Sequence, residues 1–456
     1  MQNYQLIEQE LLKLLKPEQI STNETVRINH GQDESYHDPA LPDIVVFPYT
    51  NEDVSNILKL ANTYKVPVIP FGAASNLEGQ IIPYEGGITI DFNEMNNIIS
   101  IEPENLLVTV EPGVRRLQLN KALKKHGLFF PVDPGADATL GGMAATNSSG
   151  TTAVKYGAMR EQVLDLEVVT ANGDIIHTGT KAAKSSSGLG LNGLFVGSEG
   201  TLGCITQLTL RLYSIPEYEV AGRAVFPSVH DAVQAVIGLK QSGIPIGRVE
   251  LVDAHSVMVA NAYNDTDYKE APTLFLEFHG NEAGLEQDVV FATDIMNDFN
   301  CLEIEFEKDT AARNKLWTTR HSLAYAYTHH SPGKKMLSTD VCVPVSKLAA
   351  SIEFASKKIK EYHLDAGILG HVGDGNFHTT IMIDKQNEAE FSRAKEYCDL
   401  LVQHAIAQGG TCTGEHGVGV GKRRYQKQQH GQAFEVMRAI KDALDPNGIL
   451  NPGKLL

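Results

Sequence analysis

Three glycine-rich loops dominate the N-terminal half of this sequence and restrict its fold more than any other feature. The first, Pro70 to Gly79, directly follows a predicted strand, and its small residues allow backbone N–H groups to turn toward an anion such as a pyrophosphate. The second, Asp133 to Gly150, has small residues at nearly every position, and the third, Val196 to Thr206, leads into a strand. One such loop is equally consistent with a surface turn. Three together predict a surface that holds a large, flat ligand.

The hydrophobic pattern between these loops mixes strands with helices. Thr50 to Lys65 reads as an amphipathic helix that begins with a capping box of Thr50 and Asp53. Val163 to Ile176 reads as a hairpin that turns at Asn172-Gly173. Other strands are predicted at Val66–Pro70, Gly87–Phe92, Leu106–Val110, Thr273–Phe278, Asp340–Val343 and within Gly367–Ile383, and other helices at Arg115–His126, Leu348–Tyr362 and Asn387–Gln408.

The glycine loops stop near Tyr213 to Tyr218, where longer helices begin to alternate with strands. A chain of 456 residues is also too long for one hydrophobic core. We therefore predict two domains, residues 1–215 and 216–456, each of the α+β class.

Charge and composition limit the partners that this chain can bind. A formal charge of −17 disfavours nucleic acid and anionic membranes, since both repel an acidic protein. The N-terminus is polar and acidic, unlike a signal peptide, and no stretch approaches the length of a transmembrane helix. The five cysteines are widely spaced and lack a CxxC pair, which favours neither disulfides nor an iron–sulfur cluster. We expect a cytoplasmic protein, with peripheral binding at the inner membrane face as an alternative.

The segment Gly188 to Gly193 matches the dinucleotide pattern GxGxxG, but we interpret it as a plain loop. No strand precedes it, no helix-length pattern follows it, and no acidic residue lies about twenty positions further on. The sequence therefore gives little support to a nicotinamide cofactor.

A candidate metal site lies in the C-terminal half, where His371 and His378 flank Asp374-Gly375. A two-residue hairpin turn there would place the two histidines directly opposite each other, with Cβ atoms about 5 Å apart. Asn376 would share their face, and Glu415 is a candidate third ligand. Two imidazoles and a carboxylate suit Zn, Mn or Fe and leave positions open for substrate. Each histidine taken alone is more often structural than a ligand.

The three glycine loops together resemble the FAD-binding domain of the vanillyl-alcohol oxidase superfamily. The segments HVGDGNFH, GEHGVG and NPGK, which begin at His371, Gly414 and Asn451, are similar to the signature of FAD-linked 2-hydroxy-acid dehydrogenases. This resemblance covers nearly the whole chain. It implies a two-subdomain FAD-binding domain and a C-terminal α+β substrate or cap domain, whose final segment packs back toward the flavin.

The resemblance also implies the residues that hold FAD. The first loop would bind the pyrophosphate, and the other loops would line the rest of the cofactor. The loop has Ala74-Ser75-Asn76 where the family commonly has Gly-Thr-Ser, and it contains no histidine for a covalent link, so noncovalent FAD is expected. The implied residues are Phe71, Gly72, Ala73, Ala74, Ser75, Asn76, Gly79, Pro134, Gly135, Thr139, Gly142, Ala145, Asn147, Glu199, Gly200, Ile205 and Asn451.

Oxidation of a 2-hydroxy acid removes a proton from oxygen and a hydride from carbon, and flavin N5 accepts the hydride. We expect a divalent metal held by His371, His378 and Glu415 to activate the hydroxyl, and His416 to take its proton. Arg320 would clamp the substrate carboxylate, with Lys335 as a weaker candidate and Asn376 within reach of the substrate.

Two further segments, LWTTRH from Leu316 and STDVCVP from Ser338, are similar to those of family members that oxidise D-lactate. The catalytic subunit of bacterial glycolate oxidase has the same layout. Members acting on D-2-hydroxyglutarate carry threonine one helical turn after the substrate arginine, where this chain has Ala324, which disfavours that substrate.

Two other classes of function stay open. A noncatalytic flavin-binding subunit of a larger oxidase would have no use for the metal residues, and an NADPH-fed reductase lacks a convincing nicotinamide motif. The sequence does not identify the electron acceptor, for which quinone, a cytochrome, an electron-transfer flavoprotein and oxygen are the alternatives. The sequence also does not determine whether the protein forms a homodimer.

Overall fold

The computed structural model describes residues 4–456, which form two compact units. Unit 1 contains the residues up to Ser149 together with Gly157–Ile215 and Glu415–Leu456. Unit 2 contains Gly150–Tyr156 and Pro216–Gly414. Apart from the short segment Gly150–Tyr156, the chain thus leaves unit 1 after Ile215 and returns to it for its final segment.

Unit 1 begins with a small sheet whose three longer strands are parallel. The predicted helix precedes the strand that carries the first glycine loop: it spans Asn51–Tyr64, and Thr50 and Asp53 form the capping box at its start. In order across the sheet, the strands are Ile20–Ser21, Ile44–Val46, Ile88–Asp91 and Val68–Phe71. The helix and these strands share a buried core that includes Val54, Ile57, Val68 and Ile88.

A second, antiparallel sheet of unit 1 carries the other two loops. The predicted hairpin is confirmed, because Val169 pairs with Ile175 and Gly173 turns the chain with φ +80°. The second loop differs from the prediction, since it contains a helix at Leu140–Thr146 that buries Leu140 and Met143. In order across the sheet, the strands are Ile98–Glu102, Leu107–Val110, Cys204–Arg211, Val163–Val169 and Ile175–His177, and Leu128–Phe129 pairs separately with Tyr213–Ser214.

The remaining helices of unit 1 are short, except for one near the C-terminus. They span Tyr4–Leu11, Glu24–Asn29, Arg116–Leu123, Met159–Gln162, Leu191–Phe195, Gln426–His430 and Ala433–Leu444.

Unit 2 is built on one large antiparallel sheet with helices packed against it. In order across the sheet, the strands are Glu303–Glu307, Tyr218–Val225, Thr273–Gly280, Ile246–Val252, Ala366–Gly370, Asn376–Ile383 and Lys335–Ser338, and Val341–Cys342 also pairs with Asn376–Ile383. The helices are Ala153–Tyr156, Val229–Gln241, Ala254–Asn264, Glu282–Asp298, Thr310–His321, Leu323–His330, Val345–Glu361 and Glu388–Ala407. Ile246–Val252 lies beside Ala366–Gly370, which brings Glu250 close to His371.

Candidate active site

The three glycine loops lie against one another in unit 1. A Cβ atom on Gly72 of the first loop would overlap Oγ1 of Thr139 in the second loop. The second and third loops are joined by backbone hydrogen bonds, including one from Glu199 N–H to Ala145 O at 2.8 Å. Close packing of this kind requires residues without side chains, and this explains why small residues dominate all three loops.

Ala74 in the first loop has φ +57°, in the left-handed region that favours glycine. This is the position where the family commonly has glycine and this chain does not. The backbone therefore keeps a conformation that costs an alanine about 1 kcal/mol. Backbone strain of this kind clusters at active sites and ligand-binding loops.

Gly200 in the third loop tests how tightly the loops pack. Its φ is +71°, and an added Cβ would lie 2.8 Å from Cγ of Pro70 in the first loop. Gly188 is a matched control, since its φ is +75° but an added Cβ would meet nothing within 4 Å. We expect Gly200→Ala to lower the free energy of unfolding in urea by about 1–3 kcal/mol more than Gly188→Ala does. Equal losses would contradict close packing of the two loops.

The final segment of unit 1 is fastened to the first and third loops. The side-chain nitrogen Nδ2 of Asn451 donates to the backbone oxygens of Gln80 at 3.0 Å and Glu199 at 2.7 Å. Its Oδ1 is buried and accepts no hydrogen bond from the described residues. An orphaned buried acceptor beside convergent glycine loops fits a bound polar cofactor, such as the FAD that the resemblance implies.

The segment around His416 is held through its backbone. The Glu199 carboxylate accepts hydrogen bonds from the N–H groups of Val418 at 2.6 Å and Gly419 at 2.8 Å, and Gln80 Nε2 donates to His416 O at 2.7 Å. Burial raises the pKa of Glu199 to about 7, although these N–H groups oppose the shift. The Glu199 side chain thus positions the segment that carries His416, a role that the sequence did not indicate.

The two predicted histidine ligands are neighbours in unit 2. The rings of His371 and His378 are nearly perpendicular, with centroids 5.5 Å apart, and both residues are buried. His371 Nδ1 contacts Glu250 Oε1 at 2.6 Å, and His378 Nδ1 contacts Thr339 O at 3.1 Å. Since both partners are acceptors, each ring carries its proton on Nδ1 and has Nε2 as the nitrogen that can coordinate an ion. This arrangement fits a divalent metal.

The hairpin that we predicted to bring the histidines together is wrong in its register. His378 pairs with Leu369 rather than with His371, and Asn376 pairs with Cys342 rather than with Gly373. The first strand ends at Gly370, and residues 371–375 form a longer connection in which Asp374 N–H donates to His371 O. A longer turn after the strand, rather than a two-residue hairpin, therefore accompanies the close approach of the two rings.

A buried carboxylate, Glu250, joins His371 to the predicted substrate clamp. Its Oε1 contacts His371, and its Oε2 accepts a hydrogen bond from Nη2 of Arg320 at 2.6 Å. Burial alone would raise the pKa of Glu250, but its close partners His371 and Arg320 lower it below the ordinary value. Arg320 is only 8% exposed, which argues against a helix-surface charge, and its Nε has no hydrogen-bond partner among the described residues.

A second buried carboxylate, Asp340, orients Asn376. Asn376 Nδ2 donates to Asp340 Oδ1 at 2.7 Å and to Val341 O at 2.9 Å. The other oxygen of Asp340 accepts from Thr413 Oγ1 at 2.6 Å and from Gly414 N–H at 2.8 Å. With its nitrogen committed, Asn376 has a buried Oδ1 that accepts no hydrogen bond from the described residues. That oxygen can accept a hydrogen bond from a bound hydroxyl.

The other predicted residues have different surroundings. Glu415 and His416 begin the final segment of unit 1 and are half-buried there. Lys335 is exposed at the start of the strand Lys335–Ser338, which weakens it as a substrate clamp. The sequence analysis missed Glu250, although a glutamate inside the otherwise apolar strand VELV was a usable signal.

Glu219, Glu277 and His279 form another cluster of potential metal ligands in unit 2. Arg313 lies 3.2 Å from Glu219, and Arg248 lies 3.4 Å from Glu277. Because these arginines already balance the carboxylates, the cluster is a poor site for a divalent cation.

Among residues 4–456, no helix combines the length and the apolar character needed to cross a membrane.

Comparisons with known proteins agree with the resemblance. The family model for the C-terminal domain of FAD linked oxidases matches residues 215–455, and a model for an FAD binding domain matches residues 42–179. The chain is 45% identical to a probable mitochondrial D-lactate dehydrogenase of Danio rerio over 96% of this chain and 89% of the relative. It is 33% identical to glycolate oxidase subunit GlcD of Bacillus subtilis over 98% of this chain and 96% of the relative.

A solved structure of p-cresol methylhydroxylase superposes with a TM-score of 0.82 at 19% identity, covering 99% of this chain and 96% of that one. The predicted α+β fold of the vanillyl-alcohol oxidase type is confirmed. The Danio rerio relative is mitochondrial by name, so the expected cytoplasmic location is not confirmed. With both FAD-related models matched and near full-length relatives above 30% identity, the chain belongs to the family of FAD-linked oxidases.

Proposed function

We propose that this protein oxidises a D-2-hydroxy acid, with D-lactate favoured, to the 2-oxo acid. The observation that carries the proposal is the buried cluster of unit 2, in which Glu250 joins Arg320 to His371 and His378 lies beside His371. An arginine suits a carboxylate and two imidazoles suit a metal that binds a hydroxyl. A 2-hydroxy acid carries both groups on adjacent carbons. The D-lactate dehydrogenase relative supports the choice of substrate.

The cofactors are assigned by the residues that would hold them. The glycine loops of unit 1 and Asn451 would hold FAD, which when bound accepts a hydride at N5. His371 and His378 would hold a divalent ion, which lowers the pKa of a hydroxyl that it binds. Glu415 is the proposed third ligand, because one carboxylate added to two imidazoles makes a ligand set that leaves coordination positions open for substrate.

The protein's own groups then have separate tasks. Arg320 binds the substrate carboxylate through the donors that Glu250 does not use, including the buried Nε. Asn376 accepts a hydrogen bond from the substrate through Oδ1, because its nitrogen is committed to Asp340 and Val341. His416 removes the hydroxyl proton as general base.

Glycolate is the second candidate substrate, supported by the Bacillus subtilis relative. It differs from D-lactate by a hydrogen in place of the methyl group on C2, which is worth about 1–3 kcal/mol in an apolar pocket. D-2-Hydroxyglutarate is a weaker alternative because of Ala324. Quinone, a cytochrome, an electron-transfer flavoprotein and oxygen are the candidate acceptors, and a homodimer is the candidate assembly.

Anaerobic reduction of the flavin tests this function without knowledge of the acceptor. The protein is mixed with D-lactate, L-lactate, glycolate or D-2-hydroxyglutarate, and the flavin absorbance is followed before and after removal of metal with a chelator. We expect the fastest bleaching with D-lactate, slower bleaching with glycolate, and a large loss of rate after chelation. No bleaching with any of the four acids would refute a 2-hydroxy-acid dehydrogenase. Bleaching by NADPH alone would favour the reductase instead.

A further inference from the structure

Glu250 is completely buried and binds two groups at once. Its Oε1 lies 2.6 Å from His371 Nδ1, and its Oε2 lies 2.6 Å from Arg320 Nη2. A carboxylate inside a protein is stable only when paired and hydrogen-bonded, and each oxygen here has one cationic or N–H partner. The position is set by the sheet, since Leu251 pairs with Gly370 and His371 follows directly.

Each of the two contacts fixes a different property. The contact with His371 fixes the ring orientation and the tautomer, with Nε2 as the metal-binding nitrogen. The contact with Arg320 engages Nη2 of a rigid, planar guanidinium and thereby restricts where its other donors point. Arg320 Nε is buried and has no partner among the described residues, as expected for a donor that awaits a ligand.

We propose that Glu250 is a positioning residue that holds the metal-binding histidine and the carboxylate-binding arginine in one fixed arrangement. The inference rests on the proposed function for the identity of the two ligands. A single carboxylate that serves both groups sets the distance between the metal and the substrate carboxylate. It also restricts the site to acids whose hydroxyl is on the carbon next to the carboxylate, since a 3-hydroxy acid would need a longer span.

Glu250→Gln tests the proposal, with Glu277→Gln as a matched control. Glu277 is also buried on a strand of the same sheet and also joins a histidine and an arginine, with His279 at 2.7 Å and Arg248 at 3.4 Å. A glutamine side chain has one acceptor oxygen and one donor nitrogen, so it cannot accept from both partners. Any general effect of neutralising a buried carboxylate should appear in both variants.

We expect Glu250→Gln to weaken Zn²⁺ or Mn²⁺ binding by the metal-free holoflavoprotein by about 10- to 100-fold, measured by direct titration without substrate. At saturating metal, kcat for D-lactate should recover more than KM, which should stay raised about tenfold because Arg320 is no longer fixed. The preference for D-lactate over 3-hydroxybutyrate, measured as the ratio of their kcat/KM values, should become smaller. Glu277→Gln should match the wild type in metal affinity and KM.

Wild-type metal affinity and KM in Glu250→Gln would overturn the proposal, as would equal losses in Glu277→Gln. Glu250→Asp keeps the charge but cannot span both partners, so it should lose one of the two contacts. If neither Glu250 variant folds while Glu277→Gln does, the role is structural and the proposal is wrong. If the wild type binds neither metal nor D-lactate, the proposed function fails instead.

Discussion

His416→Ala is expected to slow reduction of the flavin by D-lactate by about 10²- to 10⁴-fold, the usual contribution of a general base. FAD should remain bound, because the loop around His416 is held through its backbone. The His416 carbonyl accepts a hydrogen bond from the Gln80 side chain. The N–H groups of Val418 and Gly419 donate to the Glu199 carboxylate. Stopped-flow absorbance under anaerobic conditions measures the rate, and the visible spectrum measures the bound flavin.

His126→Ala is the matched control, since His126 is an exposed histidine of the same unit. It should reduce its flavin at the wild-type rate. Metal content should be unchanged in His416→Ala, because His416 is proposed as a base rather than a ligand. Wild-type bleaching in His416→Ala would assign the proton transfer to another group.

Much of unit 1 could be predicted from sequence because its signals are local. The capping box of Thr50 and Asp53 and the turn at Asn172-Gly173 depend on residues a few positions apart, and both are confirmed. The glycine loops can also be recognised in the sequence, since backbone segments that pack closely against each other require small residues. Gly72 beside Thr139 is an example.

The contacts of unit 2 were harder to predict because they join distant parts of the chain. The Asp374-Gly375 pair predicted a two-residue turn. Instead, Asn376 pairs with Cys342, and His378 pairs with Leu369, two residues before the predicted partner His371. Glu250 is separated from His371 by more than a hundred positions, and they meet because the strand of Glu250 lies beside the strand that ends just before His371. A charged residue in a buried strand indicates that it has a partner, but the sequence does not identify which residue that is.

Removal of a metal ligand should have a different signature from removal of the base. We expect His378→Ala to reduce the divalent-ion content from about one ion per chain to nearly none, and to slow flavin reduction by about 10²-fold or more, because metal activation of a hydroxyl supplies several kcal/mol. Elemental analysis after dialysis measures the ion, and anaerobic stopped-flow measures the rate.

The decisive comparison is with chelated wild-type protein. His378→Ala and the chelated wild type should both reduce their flavin slowly. Added Zn²⁺ or Mn²⁺ should restore the rate of the wild type only, since His378→Ala lacks one of the two neighbouring buried imidazoles. His330→Ala, which removes an exposed histidine of the same unit, should retain the ion and the full rate. If His378→Ala kept its ion, or was restored by added metal at ordinary concentration, His378 would be a structural histidine hydrogen-bonded to Thr339. Loss of the ion in His378→Ala together with its retention in His416→Ala would separate metal binding from proton transfer.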